Sequence, residues 1–123
     1  MAKNLEISLL LDFYGPSLTE KQRDMTEQYY DEDLSLAEIA QNQGITRQGV
    51  RDAIKRAEQQ MFAMEEQLGM VRRFRRITKE IADIAADAQE IVQVNNGACE
   101  QITLLADRIL QKATVLAEAG EAN

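Results

Sequence analysis

The only proline of this 123-residue chain is Pro16, so everything from Ser17 onward lacks the residue that most firmly interrupts a helix. Apolar side chains in that stretch recur at steps of three and four, which is helical spacing rather than strand alternation. Leu68, Val71, Phe74, Ile77, Ile81, Ile84, Ala88 and Ile91 make one such stripe; Ile102, Leu105, Ile109, Ala113 and Leu116 make another. Asn95, Asn96 and Gly97 fall between the two and suit a tight reversal, because Asn and Gly tolerate positive φ. Gly69 weakens the helical run and places a bend or boundary near residues 68 to 70. The spacing therefore predicts an all-α chain, with a four-helix unit over residues 1–68 and a long helical hairpin over residues 69–123.

Within the first part, Asn4 is positioned to cap a helix running to Tyr14. Leu5, Leu9 and Phe13 form its stripe, widened by Ile7, Leu10, Leu11 and Tyr14. Gly15 and Pro16 stop that helix. Ser17 with Glu20, and Thr19 with Gln22, are overlapping capping boxes for a helix over residues 20–30, in which Met25, Gln28 and Tyr29 would face the core. Asp31, Glu32 and Asp33 end it as a solvated turn, since three consecutive carboxylates lack the spaced glycine and partner glutamate of a calcium loop.

Residues 34–56, LSLAEIAQNQGITRQGVRDAIKR, carry the layout of a helix-turn-helix. Ser35 and Glu38 form a capping box that starts a helix ending at Gln43. Gly44 takes the left-handed turn, Ile45 tucks beneath it, and small Ala40 and Gly44 allow two helices to cross closely. Thr46 caps a second helix whose Val50, Ala53, Ile54, Ala57 and Met61 share one face. Arg47, Gln48, Arg51 and Lys55 occupy the opposite face, where a helix laid in a major groove presents donors to base edges.

The formal net charge of −7 opposes nucleic-acid binding, because phosphate neutralisation needs clustered Lys and Arg. Its distribution does not. Residues 1–46 hold 3 basic and 9 acidic side chains, residues 47–79 hold 9 and 4, and residues 80–123 hold 2 and 8. The positive block begins at the proposed reading helix and runs through Arg72, Arg73, Arg75, Arg76 and Lys79, which predicts a local basic footprint between acidic flanks.

Catalysis is not expected. The chain has no His and a single Cys, so the usual nucleophile and base pairs are missing, as is any glycine-rich phosphate loop after a strand. No cofactor or metal is implied. Cys99 falls where a helical apolar face would run, predicting inert burial. No apolar run reaches the roughly 18 residues that would span a bilayer, and no signal peptide opens the chain, so a cytoplasmic protein without membrane insertion is expected. The two C-terminal stripes expose more apolar surface than one hairpin covers, which predicts a homodimer.

The strings LLDFYG (10–15), LTEKQ (18–22), YYDEDLSLAEIA (29–40), ITRQGVRDAIKR (45–56) and the EEQLGM that follows occur in an order that resembles the YlxM family of small bacterial helix-turn-helix proteins, over about residues 4–70. That family is similar in fold to the promoter-reading C-terminal region of sigma factors, and its members are suggested regulators linked to the signal recognition particle pathway. The resemblance implies a DNA-binding regulator with Thr46, Arg47, Gln48, Arg51 and Lys55 on the reading helix and Lys21 and Gln22 in a supporting segment. The alternative it implies is an adaptor, whose helices, acidic flanks and RRFRR cluster (Arg72, Arg73, Arg75, Arg76) engage protein or RNA of the signal recognition particle. Gly49 stands where the family usually has alanine, which loosens the reading helix.

Overall fold

A computed structural model describes residues 5–121, and within them the chain is all helical: α1 (Leu5–Tyr14), a 3-10 turn (Gly15–Ser17), α2 (Glu20–Tyr30), α3 (Leu36–Gln43), α4 (Arg47–Leu68), α5 (Met70–Asn95) and α6 (Glu100–Glu121). It forms two compact units that divide between Val71 and Arg72. The first holds α1 to α4, and the second is the fold-back of α5 and α6.

Local chemistry sets the ends of the helices. Thr19 and Gln22 form the capping box of α2, and Ser35 and Glu38 that of α3, each with both reciprocal hydrogen bonds present. The earlier of the two overlapping boxes, Ser17 with Glu20, is not used, because Ser17 is taken up in the 3-10 turn. Asn4 lies outside the described residues. Gly44 ends α3 at φ +69°, and a Cβ there would meet nothing within 4 Å. The glycine is therefore needed for its backbone conformation and not for the close helix crossing that the sequence suggests. Ile45 does not tuck under the turn. It remains 45% exposed, and its side chain instead lies over Gly49.

The first unit has two apolar cores. Ile7, Leu10, Leu11 and Tyr14 of α1 pack with Leu18, Ala57, Met61 and Val71. The buried face of α1 is thus the Ile7–Tyr14 line, and Leu5, expected on the core stripe, is 84% exposed. Met25 of α2 packs with Ile39, Ala40, Val50 and Ile54, locking α3 against the first half of α4. Thr26 is completely buried where the sequence pointed to Gln28 and Tyr29, which are half-buried. Its hydroxyl donates to the Gln22 carbonyl at 2.7 Å, which makes a polar side chain tolerable in that place.

At Gly69 (φ +62°) α4 ends and α5 begins. The first amides of a helix have no partner within it. Here the Met70 N–H donates to the Tyr14 hydroxyl at 3.2 Å and the Val71 N–H to the Glu65 carboxylate at 2.9 Å, while the Tyr14 hydroxyl donates to that same carboxylate oxygen at 2.7 Å.

In the second unit α5 and α6 reverse through Asn96 and Gly97, both at positive φ. The Asn95 side chain bridges the turn, donating to the Cys99 carbonyl and the Thr103 hydroxyl, each at 2.8 Å. Cys99 itself is exposed, contrary to the expected burial, because it precedes the first turn of α6 and does not lie on its inner line. That inner line coincides with the aliphatic stripe only at Ile81, Ala88 and Ala113. Ile81, Ala85, Ala88, Val92 and Asn95 on α5, and Thr103, Ala106, Leu110, Ala113 and Ala117 on α6, are the covered positions. Every other side chain of α5 from residue 75 onward, and of α6 through residue 119, is exposed. The seam is rich in alanine, which lets helices approach closely, whereas Ile77, Ile84, Ile91, Ile102, Leu105, Ile109 and Leu116 stand outside it.

Candidate nucleic-acid interface

The site grows from the second core. With Ile39, Ala40, Val50 and Ile54 buried together, the 3.6-residue period turns Arg47, Gln48, Arg51 and Lys55 outward, and all four are exposed. Thr46 holds the start of this row. Its hydroxyl accepts the Gly49 N–H at 3.0 Å, and the hydroxyl hydrogen is left to donate elsewhere. Unlike α2 and α3, α4 has no reciprocal bond at its cap, because Gly49 occupies the third helical position and offers no side chain.

Electrostatics favour an anion at this end. The start of α4 carries the positive end of its helix dipole with no acidic residue in the first turn, and Arg47 and Arg51 stand one turn apart beside it. One carboxylate tempers the row: Gln48 donates its amide to Asp52 at 2.9 Å, so Gln48 is held along the helix. Arg56, exposed and one turn beyond Asp52, extends the basic row.

Leu36, at the first position of α3, was not singled out in the sequence, yet it shares a shallow hollow with Arg47, Gln48 and Arg51. A neighbouring hollow joins Leu36, Arg51, Ile54 and Lys55 to Tyr29, Tyr30 and Glu58. Tyr29 and Tyr30 meet edge to face, their centroids 4.9 Å apart. The Tyr30 hydroxyl donates to the Glu58 carboxylate. Burial, and then the carboxylate that accepts its proton, push the Tyr30 phenol well above its ordinary range. This pair braces α2 against α4 under the basic row. The only sequence signal for it was the spacing of Tyr30 and Glu58 on helices that had to pack.

The two residues of the supporting segment sit at the start of α2. Lys21 is exposed. Gln22 spends its side-chain oxygen on the Thr19 N–H at 3.1 Å, so its first duty is to cap its own helix. Arg72, Arg73, Arg75 and Arg76 are exposed on α5 in the second unit, with half-buried Phe74 between them.

Among the described residues no group of His, Cys, Asp and Glu is arranged to hold a metal ion, and no helix is long and apolar enough to cross a membrane.

Residues 1–101 match the sequence model of the UPF0122 family, described as "Putative helix-turn-helix protein, YlxM / p13 like". The match runs through α5, well past residue 70, where the resemblance of short strings stops. The chain is 48% identical over 79 residues to a UPF0122 protein of Desulforamulus reducens, covering 64% of this chain and 68% of that one. It is 49% identical over 80 residues to one from Caldanaerobacter subterraneus, covering 65% and 68%. Against one from Clostridium botulinum it is 40% identical over 96 residues, covering 78% of this chain and 88% of the relative.

Proposed function

The chain belongs to the UPF0122 family of YlxM/p13-like helix-turn-helix proteins, and from that premise we propose that it is a DNA-binding regulatory protein of the cytoplasm. It reads duplex DNA with the first half of α4, by binding and not by catalysis. One observation carries this reading: a capped helix pair whose second member turns Arg47, Gln48, Arg51 and Lys55 to solvent from a start free of acidic residues. In this function Arg47 and Arg51 reach base edges, Lys55 and Lys21 meet phosphates, and Thr46 and Gln22 keep their helices in register with the duplex. The unit over residues 1–68 reads, and the hairpin over residues 69–123 joins two copies. Each dimer thus presents two reading helices to half-sites about 34 Å apart, or a multiple of that spacing.

The competing reading is an adaptor that binds protein or RNA of the signal recognition particle pathway, and the net charge of −7 favours its protein form over any nucleic-acid ligand. Binding to a randomised duplex pool separates the two. The regulator selects a sequence, and the Arg47→Ala, Arg51→Ala double variant loses about 1–3 kcal/mol for each guanine contact removed while its helix content is unchanged. A wild-type protein with no DNA affinity even at low salt, where the phosphate contribution is largest, overturns the regulator and turns the case to the adaptor.

A further inference from the structure

The exposed aliphatic residues of the hairpin are not scattered. Ile77, Ile84 and Ile91 recur every seven residues on α5, and Ile102, Ile109 and Leu116 every seven on α6. An antiparallel fold-back through Asn96 and Gly97 sets Ile91 level with Ile102, Ile84 with Ile109 and Ile77 with Leu116. The result is three apolar rungs on one side of the alanine seam. The opposite side carries Arg75, Ala82 and Gln89 against Asp107 and Thr114, and is polar. Leu104 and Val115 are exposed elsewhere on α6 as single residues, so the one continuous apolar face among the described residues of the hairpin is the face with the rungs.

Charge says what covers it. Along the α5 edge of the ladder, between its first and last rungs, lie Glu80 and Asp87, with Arg76 on the same line just before the first rung; along the α6 edge lie Arg108 and Lys112, all exposed. Two hollows repeat the asymmetry: one joins Asp87 and Glu90 to Ile91, Val94 and Ile102, and the other joins Arg108 and Lys112 to Val115 and Leu116. A face with an acidic edge and a basic edge is self-complementary under one two-fold axis and not under the other.

Resting on the dimer reading above, we infer that this ladder is the contact with a second copy of the chain, in a four-helix bundle whose two-fold axis runs along the helices. That axis sets α5 of one copy against α6 of the other. Glu80 then stands within a helical turn of Lys112 in the second copy, and Asp87 of Arg108, while all three rungs are covered. A perpendicular axis centred on the ladder would set Glu80 against Asp87 and Lys112 against Arg108, like charge against like, which disfavours that pairing.

The test is sedimentation equilibrium of the full chain with helicity followed by circular dichroism. Ile84→Asp should give a helical monomer, since Ile84 lies outside the seam. Glu80→Lys with Asp87→Lys should weaken dimerisation by at least about tenfold, because the two-fold axis repeats both pairs and four edge contacts turn from attraction to repulsion. Adding Arg108→Glu and Lys112→Glu should restore it to within about threefold, because both pairs are then reversed together. A monomeric wild type at micromolar concentration overturns the dimer reading and this pairing together. A wild-type dimer indifferent to Ile84→Asp overturns the face while leaving a dimer in place. Loss without rescue by the fourfold exchange overturns the axis.

Discussion

Gly49 sits at the third position of α4, where replacing it with alanine tests how that helix is held. Alanine gains about 0.8–1 kcal/mol in helix propensity over glycine. Against this, the new Cβ would lie 3.2 Å from the Thr46 hydroxyl oxygen and 3.5 Å from the Ile45 side chain. The first contact is tight, but the chain holds two controls. Glu38 and Gln22 occupy the same position in α3 and α2, carry a Cβ, and still donate to their capping oxygens at 3.1 and 3.2 Å, against 3.0 Å at Gly49. A Cβ at that position is thus compatible with a bond about 0.1–0.2 Å longer, at little cost in a hydrogen bond whose usual length extends to about 3.2 Å. The propensity gain should win, raising stability by about 0.5–1 kcal/mol and the melting temperature by about 2–6 °C. Gly44→Ala should do the reverse. Nothing lies within 4 Å of its Cβ, but φ is +69°, and the left-handed region costs an L-residue about 1–2 kcal/mol. Urea titrations of both variants read the two signs directly. A lower midpoint for Gly49→Ala would show that the Thr46 cap has no room to yield, and would refute the comparison with α2 and α3.

Two other outcomes follow from the charges. If DNA contacts amount to about four phosphates per copy, log K should fall with log salt at a slope of about −3.6. Changing Arg72, Arg73, Arg75 and Arg76 to Gln should flatten that slope without altering sequence preference; an unchanged slope removes these arginines from the interface. The raised Tyr30 phenol makes the folded state hold its proton longer than the unfolded chain does. Its contribution is therefore complete below the unfolded value of about 10 and is lost as pH rises through the folded value. Between pH of about 9 and 11 the wild type should lose more urea resistance than Tyr30→Phe, and parallel curves would exclude this linkage.

The parts of the fold legible in the sequence are those governed by chemistry within one helical turn. Ser35 with Glu38, Thr46, Gly44 and the Asn96–Gly97 reversal needed only their neighbours to be read, and the exposed row from Arg47 to Lys55 followed from the register they set. What escaped depended on distant partners. Nothing near Leu36 announces that Arg47 and Arg51 will line a hollow with it, and nothing near Thr26 reveals that it is sealed off by packing. The hairpin deceived for a further reason. Aliphatic residues at seven-residue spacing and alanines on the adjoining line are both apolar, and transfer free energy alone ranks isoleucine as the inward group. The alanine line instead forms the seam, leaving the larger side chains outside. Cys99 was misplaced with them, since its burial was inferred from the same stripe.

The junction at Gly69 has a kinetic side. Amides at the start of a helix ordinarily exchange with water during small local openings, since no preceding turn holds them. Those of Met70 and Val71 are held by Tyr14 and Glu65, and Tyr14 is 2% exposed in the core formed with α1. Releasing these two amides therefore requires disturbing the α1 core. Exchange at these two amides should follow the cooperative unfolding of the first unit and not local fraying of a helix end.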